Sequence, residues 1–338
     1  MTAVGMDTAR LADYLERACP GLVSGPLDAE LIQGGRSNLT YTVTDTTTTW
    51  VVRRPPLGHV LTTAHDMARE FRVLSALAAT AVPVPATIAL CQDDEVLGAP
   101  FYVMERVEGT VFRTAAQAAP LGAARLHELS MSLVDVLVEL HAIDPAAVGL
   151  ADFGKQEGYL TRQLARWGKQ LDASRSRDLP GIDELHDRLV AEQPESTRSG
   201  LVHGDYRLDN VIVAEDGRIA AVLDWEMATL GDQLTDVGLL LLYWQIMLDG
   251  GFRGDGGGAG FPDGKVLAAR YAERTSTPID RLPWYVAFAC FKLAVIAEGI
   301  HYRYVAGQTV GAGFETFGPL VPQLVQRGHA MLATTREA

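Results

Sequence analysis

The sequence predicts an α+β protein in two parts, a small antiparallel sheet with one helix and a larger, mostly helical part. Two observations support this prediction. Residues 25–107 contain five short runs of β-forming residues, with one helical pattern after the third run. Beyond Gly109 the chain changes to long stretches with apolar residues at helical spacing. We place the boundary between an N-terminal lobe of residues 1–106 and a C-terminal lobe of residues 107–338.

The first part begins with an amphipathic helix over residues 6–18, which Pro20 ends. Strands are predicted at 29–33, 39–44, 49–54, 87–91 and 100–107. Short turns join most of these strands, at 34–38, 45–48 and 93–95. Short connections favour antiparallel pairing, because parallel strands need long crossovers. Asp66 is expected to cap the helix that follows the third strand, in which Met67, Phe71 and Leu74 share a face.

The second part is predicted to hold a long helix ending near His141 and short strands between residues 201 and 223. Further helices are predicted at 156–176, 181–193, 232–249, 264–276, 281–303 and 314–334. Residues 250–264 are rich in glycine and are interpreted as a flexible loop, either a solvated spacer or a flap over a substrate.

Composition excludes several classes of protein. With 338 residues, 48% of them hydrophobic, the chain is not a disordered polymer. A net charge of -13 gives no general attraction to nucleic acid or anionic lipid, so neither is expected as a partner. The three cysteines form no CxxC pair, so neither a zinc site nor a disulfide framework is indicated. A reducing compartment is therefore expected. The N-terminus lacks the apolar core of a signal peptide, so a cytoplasmic location is expected.

One polar loop carries the chemistry. Two apolar strands flank residues 203–210, and a second hairpin ends at Asp224. We expect Asp205, Asn210 and Asp224 to converge, which would be unfavourable without a cation among them. Oxygen ligands suit Mg²⁺, and this spacing is what phosphoryl transfer requires. The alternative is a loop that only satisfies its own hydrogen bonds.

These residues resemble a known family. The motifs are His203-Gly204-Asp205…Asn210, Leu223-Asp224 and Gly231-Asp232…Thr235-Asp236. Their combined spacing closely resembles that of the aminoglycoside phosphotransferase (choline-kinase-like) family, over roughly residues 25–330. Residues 34–41, 52–56 and 203–210 are most similar to a kinase-like domain that is found alone in bacteria or fused to acyl-CoA dehydrogenases in animals. The resemblance implies a protein-kinase-like fold.

The resemblance also implies roles for the residues of the loop. Asp205 would accept or orient the proton of the substrate hydroxyl. Asn210 and Asp224 would hold Mg²⁺ against the phosphates of ATP. Arg207 is placed to reach the transferring phosphate, whose charge its guanidinium would neutralise. The ring of His203 is expected to be structural.

The resemblance assigns the nucleotide to residues 1–106. A glycine-containing turn would cover the triphosphate through Gly34, Gly35, Ser37 and Asn38. The adenine edge would meet backbone groups of the segment Met104-Glu105-Arg106-Val107, so Glu105 and Val107 are predicted binding residues. Whether the nucleotide is ATP or GTP is left open.

A basic residue on the third strand should contact the phosphates, oriented by a carboxylate from the helix. The matching residues are Arg53 and Glu70, although the drug-modifying members of the family and protein kinases use lysine in place of Arg53. Because side chains alternate along a strand, Arg53 and Arg54 point to opposite faces. We favour Arg53. Alternatively, Arg53 forms a structural pair while Arg54 faces solvent.

The predicted function is transfer of the γ-phosphate of ATP, with Mg²⁺, to a hydroxyl of a small molecule. The alternative is a nucleotide-binding module without catalysis, which the arginine at position 53 suggests. The acceptor is either an aminoglycoside-like sugar or a hydroxyacyl compound, which could be carried as a coenzyme A thioester. Candidate contacts for such an anion are Arg162, Arg166, Lys292 and Arg303. The oligomeric state is left open.

Overall fold

The computed structural model describes residues 4–32, 38–57, 66–250, 258–309 and 313–334. The chain folds into two compact units. The first comprises Met1–Thr110, Ile212–Glu215 and Ile219–Ala228, and the second comprises Val111–Val211, Asp216–Arg218 and Thr229–Ala338. The first unit therefore includes two short segments from the middle of the chain, whereas the sequence analysis placed one boundary between residues 106 and 107.

The first unit contains the five-stranded sheet. Its strands are β1 (Asp28–Leu31), β2 (Leu39–Thr44), β3 (Thr49–Arg54), β4 (Thr87–Cys91) and β5 (Phe101–Glu105). Their order is β1-β2-β3-β5-β4, and every neighbouring pair is antiparallel. The predicted fold class is confirmed. The pairing of β2 with β3 runs from Leu39 opposite Arg54 to Thr44 opposite Thr49.

Three helices accompany the sheet: α1 (Thr8–Ala18), α2 (Met67–Leu77) and α3 (Asp94–Leu97). As predicted, Asp66 caps α2, and its carboxylate accepts the N–H of Arg69 at 2.9 Å. The acidic segment predicted as a turn forms the short helix α3 instead, because Asp93 caps it. On α2, Glu70 shares the buried face with Val73 and Leu74. Helical spacing therefore places a carboxylate inside the apolar face.

The second unit is mostly helical. Its helices are α4 (Ala115–Ala118), α5 (Gly122–Ala142), α6 (Tyr159–Ser174), α7 (Ile182–Ala191), α8 (Leu234–Leu248), α9 (Gly264–Thr275), α10 (Leu282–Val305) and α11 (Phe317–Thr334). Helix α10 packs against α6, α7, α8 and α11. In the described part of the chain, only α10 has the length and apolarity of a membrane span, and 78% of its apolar window is buried by the protein itself.

Four short strands lie between residues 199 and 232 of the chain: β6 (Ser199–Val202), β7 (Val211–Val213), β8 (Ile219–Val222) and β9 (Thr229–Asp232). Strand β6 pairs with β9, and β7 pairs with β8. The loop 203–210 lies between β6 and β7, as the sequence predicted, whereas β9 was not predicted. Of the glycine-rich loop, residues 251–257 lie outside the described residues, and Gly264 begins α9.

Helix α8 approaches α10 closely at Gly238. A Cβ atom there would lie 2.6 Å from the carbonyl carbon of Tyr285, which is backbone and cannot move aside. We expect Gly238→Ala to lower the free energy of unfolding by about 1–3 kcal/mol, as overpacking does. Urea denaturation monitored by circular dichroism measures it.

Gly299 in α10 provides the matched control. A Cβ there would meet only ordinary contacts, the nearest being 3.8 Å away at Ser174. We expect Gly299→Ala to be neutral or to stabilise the protein by up to about 1 kcal/mol, through helix propensity alone. Equal changes in the free energy of unfolding for the two substitutions would contradict the close approach of α8 to α10 at Gly238.

Candidate active site

In the first unit, the guanidinium of Arg53 on β3 lies among three carboxylates. Its Nε is 3.1 Å from Oε2 of Glu70, and its Nη2 is 2.5 Å from Oδ1 of Asp224. The same Nη2 lies 3.6 Å from Oε2 of Glu226. Burial opposes the charge of Arg53, but the carboxylates of Glu70, Asp224 and Glu226 raise its pKa. Arg53 therefore stays charged and joins three segments of the unit.

The partner carboxylate on α2 is deeply buried. Only 2% of the Glu70 side chain is exposed, against 14% for Arg53. Burial raises the pKa of Glu70, and the neighbouring Arg53 acts in the opposite direction. The structure thus brings together the pair that the sequence predicted. Whether this pair binds phosphate remains a prediction.

Arg54 points to the opposite face of β3 and has a different environment. It is buried, and its Nη1 donates to the carbonyls of Gly5 at 2.5 Å and Leu97 at 2.7 Å. The alternative that Arg54 faces solvent is therefore wrong. Strand alternation separates the two arginines as expected, and Arg54 ties the N-terminal segment to the end of α3.

Asp224 follows β8 in a conformation that is uncommon for a residue with a side chain. Its φ of 66° and ψ of 63° lie in the left-handed region, which costs of order 1–3 kcal/mol. The next residue anchors this turn, because the indole N–H of the buried Trp225 donates to the carbonyl of Val222 at 3.0 Å. Asp224 remains 27% exposed beside Arg53. Such strained positions cluster at functional sites.

Of the predicted phosphate-covering turn, only Asn38 can be placed. Gly34, Gly35 and Ser37 lie outside the described residues. The amide Nδ2 of Asn38 donates to Oε2 of Glu226 at 3.0 Å, so Asn38 joins the same charged cluster. Its role toward a nucleotide stays a prediction.

The two residues predicted to meet adenine lie at the end of β5. The backbone N–H of Glu105 donates to the carbonyl of Ala86 at 2.9 Å, which occupies that donor. Val107 follows β5 in irregular backbone and is half-buried. Their contact with a base also stays a prediction.

In the second unit, Asn210 closes the polar loop onto Asp205. Its Nδ2 donates to the backbone carbonyl of Asp205 at 2.8 Å and to the carboxylate Oδ2 at 3.0 Å. Asn210 is buried and ends a single turn of 3₁₀ helix, Leu208–Asn210. The structure therefore brings two of the three predicted residues together within one unit. Asp224 belongs to the first unit, and its convergence with them stays a prediction.

Arg207 contacts Asp205, Asp209 and Tyr243. Its Nε is 3.0 Å from Oδ1 of Asp209 and 3.4 Å from Oδ2 of Asp205. Its guanidinium carbon lies 4.6 Å from the centre of the Tyr243 ring, a cation–π contact. Tyr243 also hydrogen-bonds Asp205, and its pKa is raised by burial and by that carboxylate. Tyr243 was not among the predicted site residues, because in the sequence of α8 it is one more residue of an apolar run.

The start of the loop is held by Asp236. Its carboxylate accepts the backbone N–H of His203 at 2.7 Å and that of Gly204 at 2.8 Å. His141 lies 3.3 Å away, and its other ring nitrogen is 2.8 Å from the hydroxyl of Tyr271. Burial opposes the charge of Asp236, but its contacts with His141 and His203 lower its pKa. Asp236, which the sequence analysis names only as part of a motif, thus holds the loop that carries Asp205.

The ring of His203 is buried and accepts the backbone N–H of Asp205 at 3.2 Å through Nδ1. This contact is the structural role that the sequence analysis expected for it. A second contact on the loop was not foreseen. Lys292 on α10 donates to the carbonyl of Gly204 at 2.7 Å, from 88 residues away along the chain.

The other basic candidates lie elsewhere in the second unit. Arg162 donates to the carbonyls of Lys155 and Glu157, which fixes the approach to α6. Arg166 lies 5.5 Å over the ring of Trp167, and Arg303 is exposed near the end of α10. Among the four candidates, Lys292 alone lines a pocket next to Gly204.

The oxygen atoms of the predicted metal ligands suit a Mg²⁺ ion that binds together with a nucleotide. No cluster of three or more His, Cys, Asp or Glu residues that could hold a metal occurs in the part of the chain that the structure describes. The two predicted ligands are Asp224 in the first unit and Asn210 in the second, and they offer one carboxylate and one amide oxygen. Mg²⁺ uses one or two carboxylates and completes its shell with water and phosphate oxygens. The residue types therefore suit a magnesium–nucleotide complex, and their joint binding of one stays a prediction.

Comparison with known proteins gives consistent similarities. Residues 28–270 match the family model described as "Phosphotransferase enzyme family". Acyl-CoA dehydrogenase family member 10 of Mus musculus is 34% identical over 93% of this chain, and the match covers 30% of that protein. Family member 11 of Gallus gallus is 32% identical over 95% of this chain and 43% of its own length. The chain thus spans less than half the length of these curated relatives.

Solved structures share the fold. A Ralstonia eutropha structure assigned to the aminoglycoside phosphotransferases has a TM-score of 0.83 and 33% identity, covering 97% of this chain and 98% of that one. A mutant of aminoglycoside phosphotransferase APH(4)-Ia, in ternary complex with ADP and hygromycin B, has a TM-score of 0.60. It is 18% identical, with 95% of this chain and 97% of the other covered, and shows the fold alone.

The contact between His141 and Asp236 predicts how stability depends on pH. Burial lowers the pKa of His141 below its ordinary 6.5, and Asp236 opposes the shift. Below about pH 6.5 the unfolded chain therefore binds a proton that the folded protein does not. We expect the free energy of unfolding to fall as pH decreases from 7.5 to 5.5, by up to about 1.4 kcal/mol per unit from this residue.

Urea denaturation at several pH values tests this expectation. His141→Gln removes the titrating group and should flatten the slope between pH 7.5 and 5.5. His127→Gln, at an exposed position of α5, is the matched control and should leave the slope as in the unmodified protein. An unchanged slope in His141→Gln would contradict the assignment.

Proposed function

This chain belongs to the phosphotransferase enzyme family, and from that premise we propose that it transfers the γ-phosphate of ATP to a hydroxyl group of a small molecule. The observation that carries the proposal is the loop 203–210. Its carboxylate, Asp205, is fixed by Asn210, and the backbone before it is fixed by Asp236. A carboxylate held in this way is preorganised to receive a proton, and phosphoryl transfer depends mainly on such positioning.

Asp205 is proposed as the group that orients the acceptor hydroxyl and takes its proton. Its side chain is 23% exposed, so a substrate can reach it. Arg207 lies 3.4 Å from it and is proposed to stabilise the charge of the transferring phosphate. The ring of Tyr243 and the carboxylate of Asp209 restrict the guanidinium, which lowers the entropy that ordering it would cost.

Arg53 is proposed to bind the phosphates of ATP, with Glu70 holding its guanidinium in place. Asn210 and Asp224 are proposed as ligands of Mg²⁺, which when bound would bridge and neutralise the phosphate oxygens. Nucleotide binding is consistent with the fold neighbours, since APH(4)-Ia variants were crystallised with ADP and with AMP-PNP. Arginine in place of lysine keeps the charge and offers a bidentate fork.

The proposed acceptor is a hydroxylated acyl compound. Support comes from relatives named acyl-CoA dehydrogenase family members 10 and 11, which match nearly the whole of this chain. A Caulobacter homoserine kinase is 32% identical over 42% of the chain, and its name also indicates a small hydroxylated substrate. The hygromycin B complex comes from a neighbour that is 18% identical, which favours an aminoglycoside less.

Removing the proposed base should abolish turnover while leaving nucleotide binding intact. We expect Asp205→Asn to lower the rate of ADP release by at least about 100-fold, because general-base assistance contributes this much or more. The assay uses ATP, Mg²⁺ and a panel of hydroxy acids and hydroxyacyl thioesters. Asp216→Asn is the matched control, since Asp216 is exposed and contacts only Arg218 and its own turn.

Two outcomes would contradict parts of this proposal. Unchanged turnover in Asp205→Asn would show that another group takes the proton. If the unmodified protein binds ATP tightly and no acceptor on the panel increases ADP release, the chain is a nucleotide-binding module without catalysis.

The role of Arg53 can be separated from its structural pairing. Arg53→Met should weaken ATP binding about 10- to 100-fold, the equivalent of a lost charged hydrogen bond of about 1.5–3 kcal/mol. Arg53→Lys keeps the charge and should recover much of the affinity. Calorimetric titration with AMP-PNP and Mg²⁺ measures the affinity of each variant. The folded fraction of each variant is measured separately by circular dichroism, so that lost binding is not confused with unfolding. Full affinity in Arg53→Met would leave Arg53 a structural partner of Glu70.

A further inference from the structure

Helix α8 places one side chain against both groups that are proposed to act on the substrate. The ring of Tyr243 lies against the guanidinium of Arg207, whose central carbon is 4.6 Å from the ring centre. The hydroxyl of the same residue hydrogen-bonds the carboxylate of Asp205. All three residues belong to the second unit. The two contacts use different parts of the phenol, the face of the ring for the cation and the hydroxyl for the anion.

The hydroxyl contact is suited to orienting a carboxylate. Burial and the neighbouring Asp205 raise the pKa of Tyr243, so the hydroxyl keeps its proton and is the donor of the hydrogen bond. Two further contacts of this carboxylate come from Asn210, at 3.0 Å, and from Arg207, at 3.4 Å. Both of these residues belong to the same loop as Asp205. Tyr243 therefore ties the carboxylate to a different element of the fold.

The ring contact restricts a long, flexible side chain. The Nε atom of Arg207 lies 3.0 Å from Oδ1 of Asp209, and 25% of the arginine side chain is exposed, so a phosphate group can reach it. An aromatic face attracts a cation without accepting its N–H groups in the way that a carboxylate does. The ring of Tyr243 therefore limits the movement of the guanidinium and leaves its donors available to phosphate oxygens.

The helix that carries Tyr243 is held in the core of the second unit. Trp244, the next residue, is buried, and its indole N–H donates to the carbonyl of Pro262 at 2.9 Å. Asp236 lies seven residues before Tyr243 on the same helix, which is about two turns and therefore the same face. One face of α8 thus holds the loop twice, at the backbone of Gly204 through Asp236 and at side chains through Tyr243.

We propose that Tyr243 is a positioning residue for phosphoryl transfer, whose hydroxyl orients the carboxylate of Asp205 and whose ring orients the guanidinium of Arg207. The inference rests on the proposed function and deepens it. Transfer depends on the alignment of these groups, so a small displacement of either one is costly. Because Tyr243 acts through them, its loss should lower kcat and leave the KM for ATP unchanged.

Two substitutions separate the two contacts. Tyr243→Phe removes the hydroxyl and keeps the ring, so we expect kcat to fall about 10- to 100-fold, the equivalent of a lost hydrogen bond to a charged group. Tyr243→Leu also removes the ring and should lower kcat by about a further two- to fivefold, as a lost cation–π contact does. Tyr302→Phe is the matched control, since Tyr302 is exposed on α10 and should keep full activity. The assay measures ADP release with ATP, Mg²⁺ and the panel acceptor that gives the highest rate.

A double-mutant cycle distinguishes positioning from a general loss of stability. In Arg207→Met the ring has no cation to orient, so Tyr243→Phe and Tyr243→Leu should have equal kcat in that background. If Tyr243→Leu still loses the further factor there, the ring acts by packing alone, which would overturn the proposal. An unchanged kcat in Tyr243→Phe would also overturn it.

The reactivity of Arg207 gives a readout that does not depend on turnover. Phenylglyoxal modifies accessible guanidinium groups, and peptide mass spectrometry measures the rate at this residue. We expect Arg207 to react about two- to fivefold faster in Tyr243→Leu than in the unmodified protein, and Tyr243→Phe to match the unmodified protein. Equal rates in all three proteins would contradict the ring contact and the proposal with it. If Arg207 reacts faster in Tyr243→Leu but the unmodified protein phosphorylates no acceptor, the proposed function fails and the orientation of Arg207 by Tyr243 stands.

Discussion

The arrangement of the polar loop depends on one buried carboxylate. Asp236 accepts the N–H groups of both His203 and Gly204, at 2.7 and 2.8 Å. Gly204 has a φ of 84°, a conformation that residues with a side chain rarely adopt. Its N–H is bound by Asp236 and its carbonyl by Lys292, so the residue before Asp205 is fixed on both sides. Unpaired backbone groups at this depth would be costly, so these hydrogen bonds stabilise the backbone that precedes Asp205.

A second constraint operates in the first unit, where Arg53 faces Glu70, Asp224 and Glu226. Carboxylates outnumber the cation, and buried ion pairs of this kind often contribute little net stability. The backbone of Asp224 in the same cluster lies in the left-handed region, and strain of this kind persists only where the surrounding structure holds it in place.

The family and the fold define the class of reaction, whereas individual side chains decide which acceptor is used. A protein of the same fold, 18% identical to this chain, was crystallised in a ternary complex with ADP and hygromycin B. Here the pocket beside the loop is lined by both Lys292 and Asp236, together with the Trp167 side chain. A shared fold does not by itself decide the acceptor, because function depends on the residues of the site.

The sequence by itself determined the sheet, most of the helices and the loop that carries Asp205. Alternation along β2 and β3, the cap at Asp66 and the spacing from Asp205 to Asn210 are all local, so short stretches of sequence reveal them. The separation of Arg53 from Arg54 follows from the same alternation, and the pairing of Arg53 with Glu70 came from the family pattern.

Only the tertiary structure decided what holds that loop. Asp236 reaches Gly204 from 32 residues away, and Lys292 reaches the same residue from 88 away. Strand β9 is hydrogen-bonded to β6, and Tyr243 of α8 contacts Arg207 of the loop. Contacts between distant segments leave no periodic signal, since they depend on how complete elements pack and not on the order of neighbouring residues.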